Sequence, residues 1–323
     1  MIPGFVQTLI NFVQYAFFYM IFSLPLTLSY RTTKVINFVH ANFITYGAYI
    51  AIFLNGIVGN TSMVFASLSA FLIVGSIAVL NNLLVFAPLQ KRGSSPAMVM
   101  ISSMGLWIAY KYILYMLTDI VHFYTYKNFV SYGRITYSDI PSLSIGEVNL
   151  SQAFVAGMFT VVVIVLILYL ILEKTRMGRA IRAIADNAML AEVSGIPRSL
   201  LINLTWFICG GIVAIGGVVW TSFSGAVTPE VGDSMILQVF TTGFIGGLVS
   251  LLRTGAGALL IAFMENIGIA LLNAYLGIPV SFRPFLTFVT LITTLILFPP
   301  LGAGGGLPYR FLKRRSEKCS DST

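Results

Sequence analysis

The chain has 323 residues, of which 57% are hydrophobic and 9% are charged. This balance leaves too little polar surface to coat a water-soluble globule, so the composition excludes a soluble domain and indicates a polytopic membrane protein. The net charge of +8 does not indicate a nucleic-acid partner, because in such a protein basic residues mark the cytoplasmic loops. Membrane lipid is the expected surrounding, and no nucleic acid is expected.

Runs of about 20 apolar residues are long enough to cross the hydrocarbon layer as helices. We predict an all-α fold with about nine spans, between about eight and ten, forming one membrane domain over residues 1–323. The predicted spans are 5–29, 35–55, 63–88, 96–118, 151–172, 201–223, 235–252, 254–276 and 282–303.

The distribution of basic residues predicts the orientation. With the amino terminus outside, 15 of the 19 lysines and arginines fall in inner loops. They are Arg31, Lys34, Lys91, Arg92, Lys174, Arg176, Arg179, Arg182, Arg198, Arg253, Arg310, Lys313, Arg314, Arg315 and Lys318. The tail, 304–323, is therefore predicted to be cytoplasmic. Lys111, inside the fourth span, is predicted to snorkel toward the outer end of that span.

Two loops are long enough to form structure outside the bilayer. The outer loop, 119–150, has β-branched and aromatic residues punctuated by Gly133, Pro141 and Gly146, which predicts short strands and turns capping the outer face. The inner loop, 173–200, contains an alanine-rich helix predicted over 177–197, where a glycine and a proline end it.

Small and apolar residues share one stripe of this inner helix, and charged residues lie opposite. The stripe is Ile181, Ile184, Ala188, Ala191 and Gly195, and the opposite residues are Arg179, Arg182 and Asp186. Because the stripe narrows toward the glycine, another surface can approach closely there, which indicates a docking helix. A helix resting on the cytoplasmic membrane surface, with its arginines on lipid phosphates, explains the same pattern.

Polar and small residues interrupt the second and seventh spans. They are Asn37, His40, Asn42 and Thr45 in the second span, and Gly243, Gly246 and Gly247 in the seventh. Interrupted spans in corresponding places predict inverted repeats flanking a translocation path. Packing between helices, through small residues and amide hydrogen bonds, is the alternative.

Glu265 falls near the middle of the eighth span, where a charged carboxylate is costly. We expect another span to compensate it, because the adjacent Asn266 points about 100° away. A hydrogen-bonding role and a contact with the substrate along the path are both open at this point.

Four stretches carry a resemblance to a known family. They are VINFVHANFITYGAYIA (35–51), GRAIRAIADNAMLAEVSGIP (178–197), GFIGGLVSLLRTGAGALLIAFMEN (243–266) and LFPPLGAGG (297–305). In this order and spacing, the sequence resembles the membrane permeases of branched-chain amino-acid ABC importers, of the LivH type. The resemblance implies inward transport of small hydrophobic amino acids through the inner membrane of a bacterium or archaeon.

The resemblance also implies the partners. They are ATP-binding subunits, a second permease of the LivM type and an extracytoplasmic substrate-binding protein. It makes the inner helix the coupling helix, with Gly178, Arg179, Arg182, Asp186, Ala191, Glu192 and Gly195 as the coupling residues. The sequence has no glycine-rich phosphate loop, so we expect ATP to be bound by the partner, with no cofactor or metal site and no catalytic residue in this chain.

The substrate stays open among related solutes. Where the family has His-Gly-Glu or His-Gly-Asp, this chain has His40-Ala41-Asn42, and Arg253 interrupts the glycine-rich stretch. Permeases for urea and short amides share the pattern. An ion-coupled secondary transporter using Glu265 is a rival that needs no coupling helix, and a passive channel predicts flux without nucleotide. An enzyme is disfavoured because no metal-binding or nucleophile motif occurs.

Overall fold

The structure, a computed structural model, describes residues 5–59, 61–126, 129–137, 139, 143–145, 148–248 and 250–297. In this part of the chain, seven helices are long and apolar enough to cross a membrane. They are Val6–Thr33, His40–Val58, Met63–Lys91, Pro96–Thr125, Gln152–Leu172, Arg198–Thr221 and Leu251–Leu276. The expectation of an all-α polytopic membrane protein is confirmed. The tail, 304–323, and most of the motif 297–305 lie outside the described residues.

The elements follow one another along the chain as thirteen helices and four short strands within the described residues. The helices are α1 (Phe5–Thr33), α2 (His40–Val58), α3 (Met63–Asn81), α4 (Ala87–Lys91), α5 (Pro96–Thr125), α6 (Gln152–Tyr169), α7 (Arg176–Asp186), α8 (Ala188–Val193), α9 (Arg198–Thr221), α10 (Ile236–Ile245), α11 (Leu251–Phe263), α12 (Ile269–Leu276) and α13 (Arg283–Leu297). The strands are β1 (Tyr132–Gly133), β2 (Leu143–Ile145), β3 (Val148–Leu150) and β4 (Ala226–Val227). The π-helical turns Asn82–Phe86 and Met264–Gly268 keep α3–α4 and α11–α12 continuous.

The seventh predicted span, 235–252, is not a full-length helix. Its helix, α10, has 10 residues, which span about 15 Å or half of the hydrocarbon layer. Gly246 and Gly247 then turn the chain, and the positive φ of Gly247 (67°) suits a residue without a side chain. The hydropathy of 235–252 did not reveal this turn. The turn is surrounded by other helices rather than by water, so its residues are as apolar as those of a span.

Helix α9 lies at the centre of the fold and packs against α1, α2 and α3. Glycines let α2 and α9 approach closely. A Cβ added to Gly47 would lie 2.2 Å from the carbonyl oxygen of Ala214, and one added to Gly217 would lie 2.1 Å from that of Ile44. Small residues at such crossings are how membrane helices gain packing energy. Any side chain at these two positions would separate the helices.

The outer loop contains the short strands that its sequence predicts, in the residues that are described. β2 and β3 form a hairpin, and β1 pairs antiparallel with β4 from the segment after α9. Asp139 in this loop accepts hydrogen bonds from the N–H groups of Met63 (3.0 Å) and Val64 (3.2 Å) and from the Ser62 hydroxyl (2.7 Å). Partial burial raises the pKa of Asp139, but these hydrogen bonds outweigh it and lower the pKa below its ordinary value.

Candidate translocation and coupling sites

The first interrupted segment joins α1 to α2 without helix between residues 34 and 39. The Ser103 hydroxyl of α5 accepts the N–H of Phe38 (3.2 Å), which satisfies irregular backbone inside the bundle. Asn37 accepts the N–H of Val39 (3.0 Å) through its Oδ1, and Nε2 of His40 donates to the carbonyl of Phe22 in α1 (2.7 Å). The segment is thereby anchored to two neighbouring helices.

The segment 222–235 runs from the end of α9 back into the fold and leads into α10, the helix of the interrupted seventh span. It meets the start of α2, where the N–H of Gly232 donates to the Thr45 hydroxyl (3.0 Å). A Cβ on Gly232 would lie 1.9 Å from the carbonyl oxygen of Ala41. Beside this crossing, the amide of Asn42 donates to the carbonyl of Trp107 (2.8 Å). The segment 222–235 is therefore in direct contact with the first turns of α2.

A charged cluster fastens the segment 222–235 to α5. The ammonium of Lys111 lies 2.9 Å from the Glu230 carboxylate and 3.0 Å from that of Asp233, and the Trp107 indole N–H donates to Asp233 (2.6 Å). The prediction that Lys111 snorkels toward the outer end of its span is extended by the structure, because these two acids pair with it. Lys111 lowers the pKa of Glu230 below its ordinary value through this hydrogen bond.

Glu265 is the centre of a buried hydrogen-bonding cluster. Its carboxylate accepts from the Tyr19 hydroxyl in α1, the Thr287 hydroxyl in α13 and the Gln238 amide in α10 (3.1 Å). The expectation that another span compensates Glu265 is confirmed by Tyr19 of α1, and two shorter helices, α10 and α13, add to it. Tyr19 lies three residues before Phe22, the partner of His40, so both polar contacts reach the same stretch of α1.

The residues predicted to line a path lie inside the isolated chain. Asn37, His40, Asn42, Thr45, Gly243, Gly246 and Glu265 are buried, and Gly247 is half-buried. A Cβ on Gly246 would lie 2.2 Å from the Thr254 hydroxyl, so this glycine allows α10 and α11 to meet. By contrast, the side chain of Glu230 is 56% exposed. The charged cluster therefore presents an ionisable group at the surface, unlike the buried Glu265.

The inner loop folds as two helices rather than as the single helix predicted over 177–197. Asn187 breaks it with extended backbone (φ −151°, ψ 99°), and its side chain caps α8 by accepting the N–H of Leu190 (3.0 Å). An asparagine that caps the following helix satisfies that helix's first N–H groups, which explains the break. The continuous-stripe prediction fails at this residue.

The apolar stripe packs against the chain itself. Ile184 and Ala191 are buried with Leu201 of α9, and Ile181 joins the main core. Gly178 is buried where a Cβ would lie 2.2 Å from the carbonyl oxygen of Leu172, and Arg182 donates to that same carbonyl. Arg179, Asp186, Glu192 and Gly195 are exposed, and Gly195 has a positive φ of 82° with open space around it.

The opposite face of α8 carries three apolar side chains that the chain leaves exposed. The exposed fractions are 78% for Met189, 63% for Leu190 and 83% for Val193. These residues lie between the span that contains α6 and the span α9, so they are not part of a membrane-length helix. We call Met189, Leu190 and Val193 the α8 patch. Contiguous apolar side chains outside a span mark a surface that is covered by another protein or by the membrane surface.

Comparisons with known proteins identify the family. The family model described as "Branched-chain amino acid transport system / permease component" matches residues 8–295. The chain belongs to this permease family. It is 26% identical to the probable branched-chain amino acid transport permease LivH of Methanocaldococcus jannaschii, over 86% of this chain and 85% of the relative. It is 26% identical to LivH of Escherichia coli over 91% and 94%, and 24% identical to BraD of Pseudomonas aeruginosa over 93% and 96%.

Membership confirms the expected class of transporter. A permease of this family is a multi-pass membrane protein of an ABC importer, and importers of this kind work with separate ATPase and substrate-binding proteins. Sequence reasoning missed the Lys111 cluster of this permease. The available signal was the pair Glu230 and Asp233, three residues apart, directly before a short apolar helix.

Proposed function

We propose that this permease moves branched-chain amino acids inward, driven by ATP hydrolysis in separate subunits that dock on α7 and α8. The observation that carries the proposal is the α8 patch. Its three apolar side chains are exposed beyond the ends of α6 and α9, while the other face of the same helices is buried on the chain. A partner covering the patch would grip a segment already fixed to two spans.

The proposal includes an orientation with the amino terminus outside and the tail in the cytoplasm of a bacterium or archaeon. Five candidate spans precede α7 and α8, so an outer amino terminus would leave these two helices on the inner side, where the basic residues favour them. Counting α10 and α13 as membrane segments would make the total nine and put the tail inside. The breaks in the second and seventh predicted spans, at residues 34–39 and at Gly246 and Gly247, favour inverted repeats. A second permease of the LivM type completes the path.

In this scheme the buried polar residues support the path from behind. His40 ties α2 to α1, Thr45 ties the segment 222–235 to α2, and Glu265 binds α1, so their contacts set the shape of the wall. The residues predicted for coupling act in two ways. Gly178 and Arg182 fix α7 to the end of α6, whereas Glu192 and Gly195 are exposed for contact with the ATPase.

The test reconstitutes the complete importer with its ATPase, second permease and binding protein, and measures leucine uptake. Uptake that requires both ATP and the binding protein is expected. Leu190→Ser, in the α8 patch, should lower recovery of the ATPase with the permease and lower uptake. Leu252→Ser, at an exposed leucine 87% accessible at the start of α11, is the matched control and should change neither.

Two other results would refute the proposal and identify a different kind of transport protein. Uptake driven by an ion gradient without nucleotide identifies a secondary transporter, and downhill flux without nucleotide identifies a channel. A second candidate within the same family is a permease for urea or short amides, since Ala41 and Asn42 depart from the usual glycine and acidic residue. Competition of leucine uptake by valine and isoleucine, but not by urea, would exclude it.

A further inference from the structure

A polar cavity opens at the end of the fold opposite α7 and α8. It has a volume of about 530 Å³, which is the size of a small-molecule site. Its lining comes from the start of α1, the segment after α9, the outer loop and the start of α13. These elements share one end of the molecule, which is also where β1 pairs with β4.

The lining offers hydrogen-bond donors that the chain does not use. Nε2 of Gln14, Nε1 of Trp220 and Nε of Arg283 are buried and have no hydrogen-bond partner among the described residues. Gln14 is 3% exposed and Trp220 is 6% exposed, so bulk water does not easily solvate these N–H groups. Buried donors are normally satisfied, so three of them lining one cavity indicate a ligand with acceptor atoms.

The charge of the cavity identifies the kind of acceptor. Arg134 and Arg283 both line it, and no Asp or Glu is among its lining residues. Neither arginine has an acidic oxygen within 4 Å in the described part of the chain. Glu265, in the π-helical turn Met264–Gly268, is not among the lining residues and accepts a hydrogen bond from the Tyr19 hydroxyl. Two guanidinium groups with planar forks of N–H donors match a carboxylate.

The cavity also has an aromatic side. Trp220 packs against Phe223 (5.0 Å between ring centroids) and Tyr15 (6.3 Å), and the guanidinium of Arg283 lies 5.9 Å from the Tyr15 ring centroid. Apolar ring surface next to cationic donors suits a molecule with a hydrocarbon part and an anionic end. Urea and simple amides have no anionic end.

We propose that this cavity binds the carboxylate of an amino acid that enters the permease, through Arg134, Arg283 and the indole N–H of Trp220. The inference rests on the proposed function and narrows its substrate class, because a carboxylate-binding entry site favours amino acids over urea and short amides. Under the proposed orientation, the cavity faces the side on which a binding protein releases its substrate.

The experiment uses ligand-observed NMR on the purified complete importer without its binding protein. The probes are 4-methylpentanoate, 4-methylpentanamide and glycerol phosphate, the last as a mimic of a lipid headgroup. We expect saturable binding of 4-methylpentanoate, with the amide weaker by about tenfold or more, because it lacks the charge that the guanidinium groups recognise. Equal binding of the amide, or tighter binding of glycerol phosphate, overturns the proposal.

Variants locate the binding. Arg134→Gln and Trp220→Phe should each weaken 4-methylpentanoate several-fold, the second because it removes the N–H and keeps an aromatic ring. Arg134 is on an exposed loop, so its variant tests the site even if Arg283→Gln fails to fold. Arg92→Gln, an exposed arginine of the loop after α4, is the control. Unchanged binding in both cavity variants refutes the site.

Leucine uptake with ATP and binding protein is measured in parallel. If the wild type takes up leucine and the cavity variants take it up equally well, only the carboxylate site is refuted. Absence of leucine uptake in the wild type refutes the proposed function, whereas the NMR titration still reports whether the cavity takes a carboxylate.

Discussion

Gly178→Ala tests how the inner loop is held to the transport helices. In the first turn of α7, the added methyl carbon would lie 2.2 Å from the carbonyl oxygen of Leu172 and 2.3 Å from that of Ile171, whereas ordinary contact begins near 3.4 Å. Backbone atoms cannot rotate aside, so α7 must move by more than 1 Å from the end of α6. That movement also breaks the hydrogen bond from Arg182 to Leu172.

The expected size follows from overpacking, which costs about 1 to 3 kcal/mol. If this free energy is lost from the link between the ATPase and the spans, the number of transport events per ATP should fall by about 5- to 150-fold. The assay is leucine uptake and ATP hydrolysis by the same proteoliposomes, with thermal unfolding of the complex. We expect ATP hydrolysis to continue while uptake falls.

Gly255→Ala is the matched control, because it is the same substitution in α11 and its Cβ would meet nothing within 4 Å. It should be neutral or stabilise the helix by about 0.5 to 1 kcal/mol. If Gly178→Ala transports and unfolds like Gly255→Ala, then α7 is not wedged against α6 and the reasoning fails.

Three further predictions concern the polar contacts. Glu265→Leu leaves three buried donors without an acceptor and should lower the free energy of unfolding in detergent by about 2 to 3 kcal/mol. Glu265→Gln keeps an acceptor and should cost less, so equal losses of stability in the two variants would contradict this account. Lys111→Met should speed hydrogen exchange over residues 228–235, and unchanged exchange would show that the ion pairs do not hold that segment. Asp139→Asn should cost about 0.5 to 1 kcal/mol through the weakened cap of α3. Because the folded pKa of Asp139 is lowered, the wild type should lose the same stability as pH falls below the ordinary aspartate value of 3.8, and the variant should not.

Long hydropathy runs predicted most of the fold, because a membrane span is a local property of about 20 residues. The prediction failed where contacts with other parts of the chain decide the local structure. Asn187 fits a helical pattern in sequence, yet it caps α8 and splits the predicted helix. The turn at Gly246 and Gly247 is apolar enough to read as membrane, because protein surrounds it.

The candidate sites were less accessible from the sequence. The sequence showed that Glu265 is polar and needs a hydrogen-bonding partner inside the membrane. It did not show which residue that partner is, because Tyr19 lies 246 residues away along the chain. The same holds for Lys111 and Asp233, separated by 122 residues. The sequence correctly placed Ile181, Ile184 and Ala191 on a buried face, but periodicity does not say whether a buried face meets its own chain or a partner.

The α8 patch has a consequence for assembly in the cell. A newly inserted copy that has not met its ATPase exposes Met189, Leu190 and Val193 to water, and such adhesive residues are what chaperones and membrane proteases recognise. An orphaned copy should therefore be short-lived, and synthesis of the two polypeptides should be matched in amount. Docking would then act as a maturation step that protects the permease from degradation.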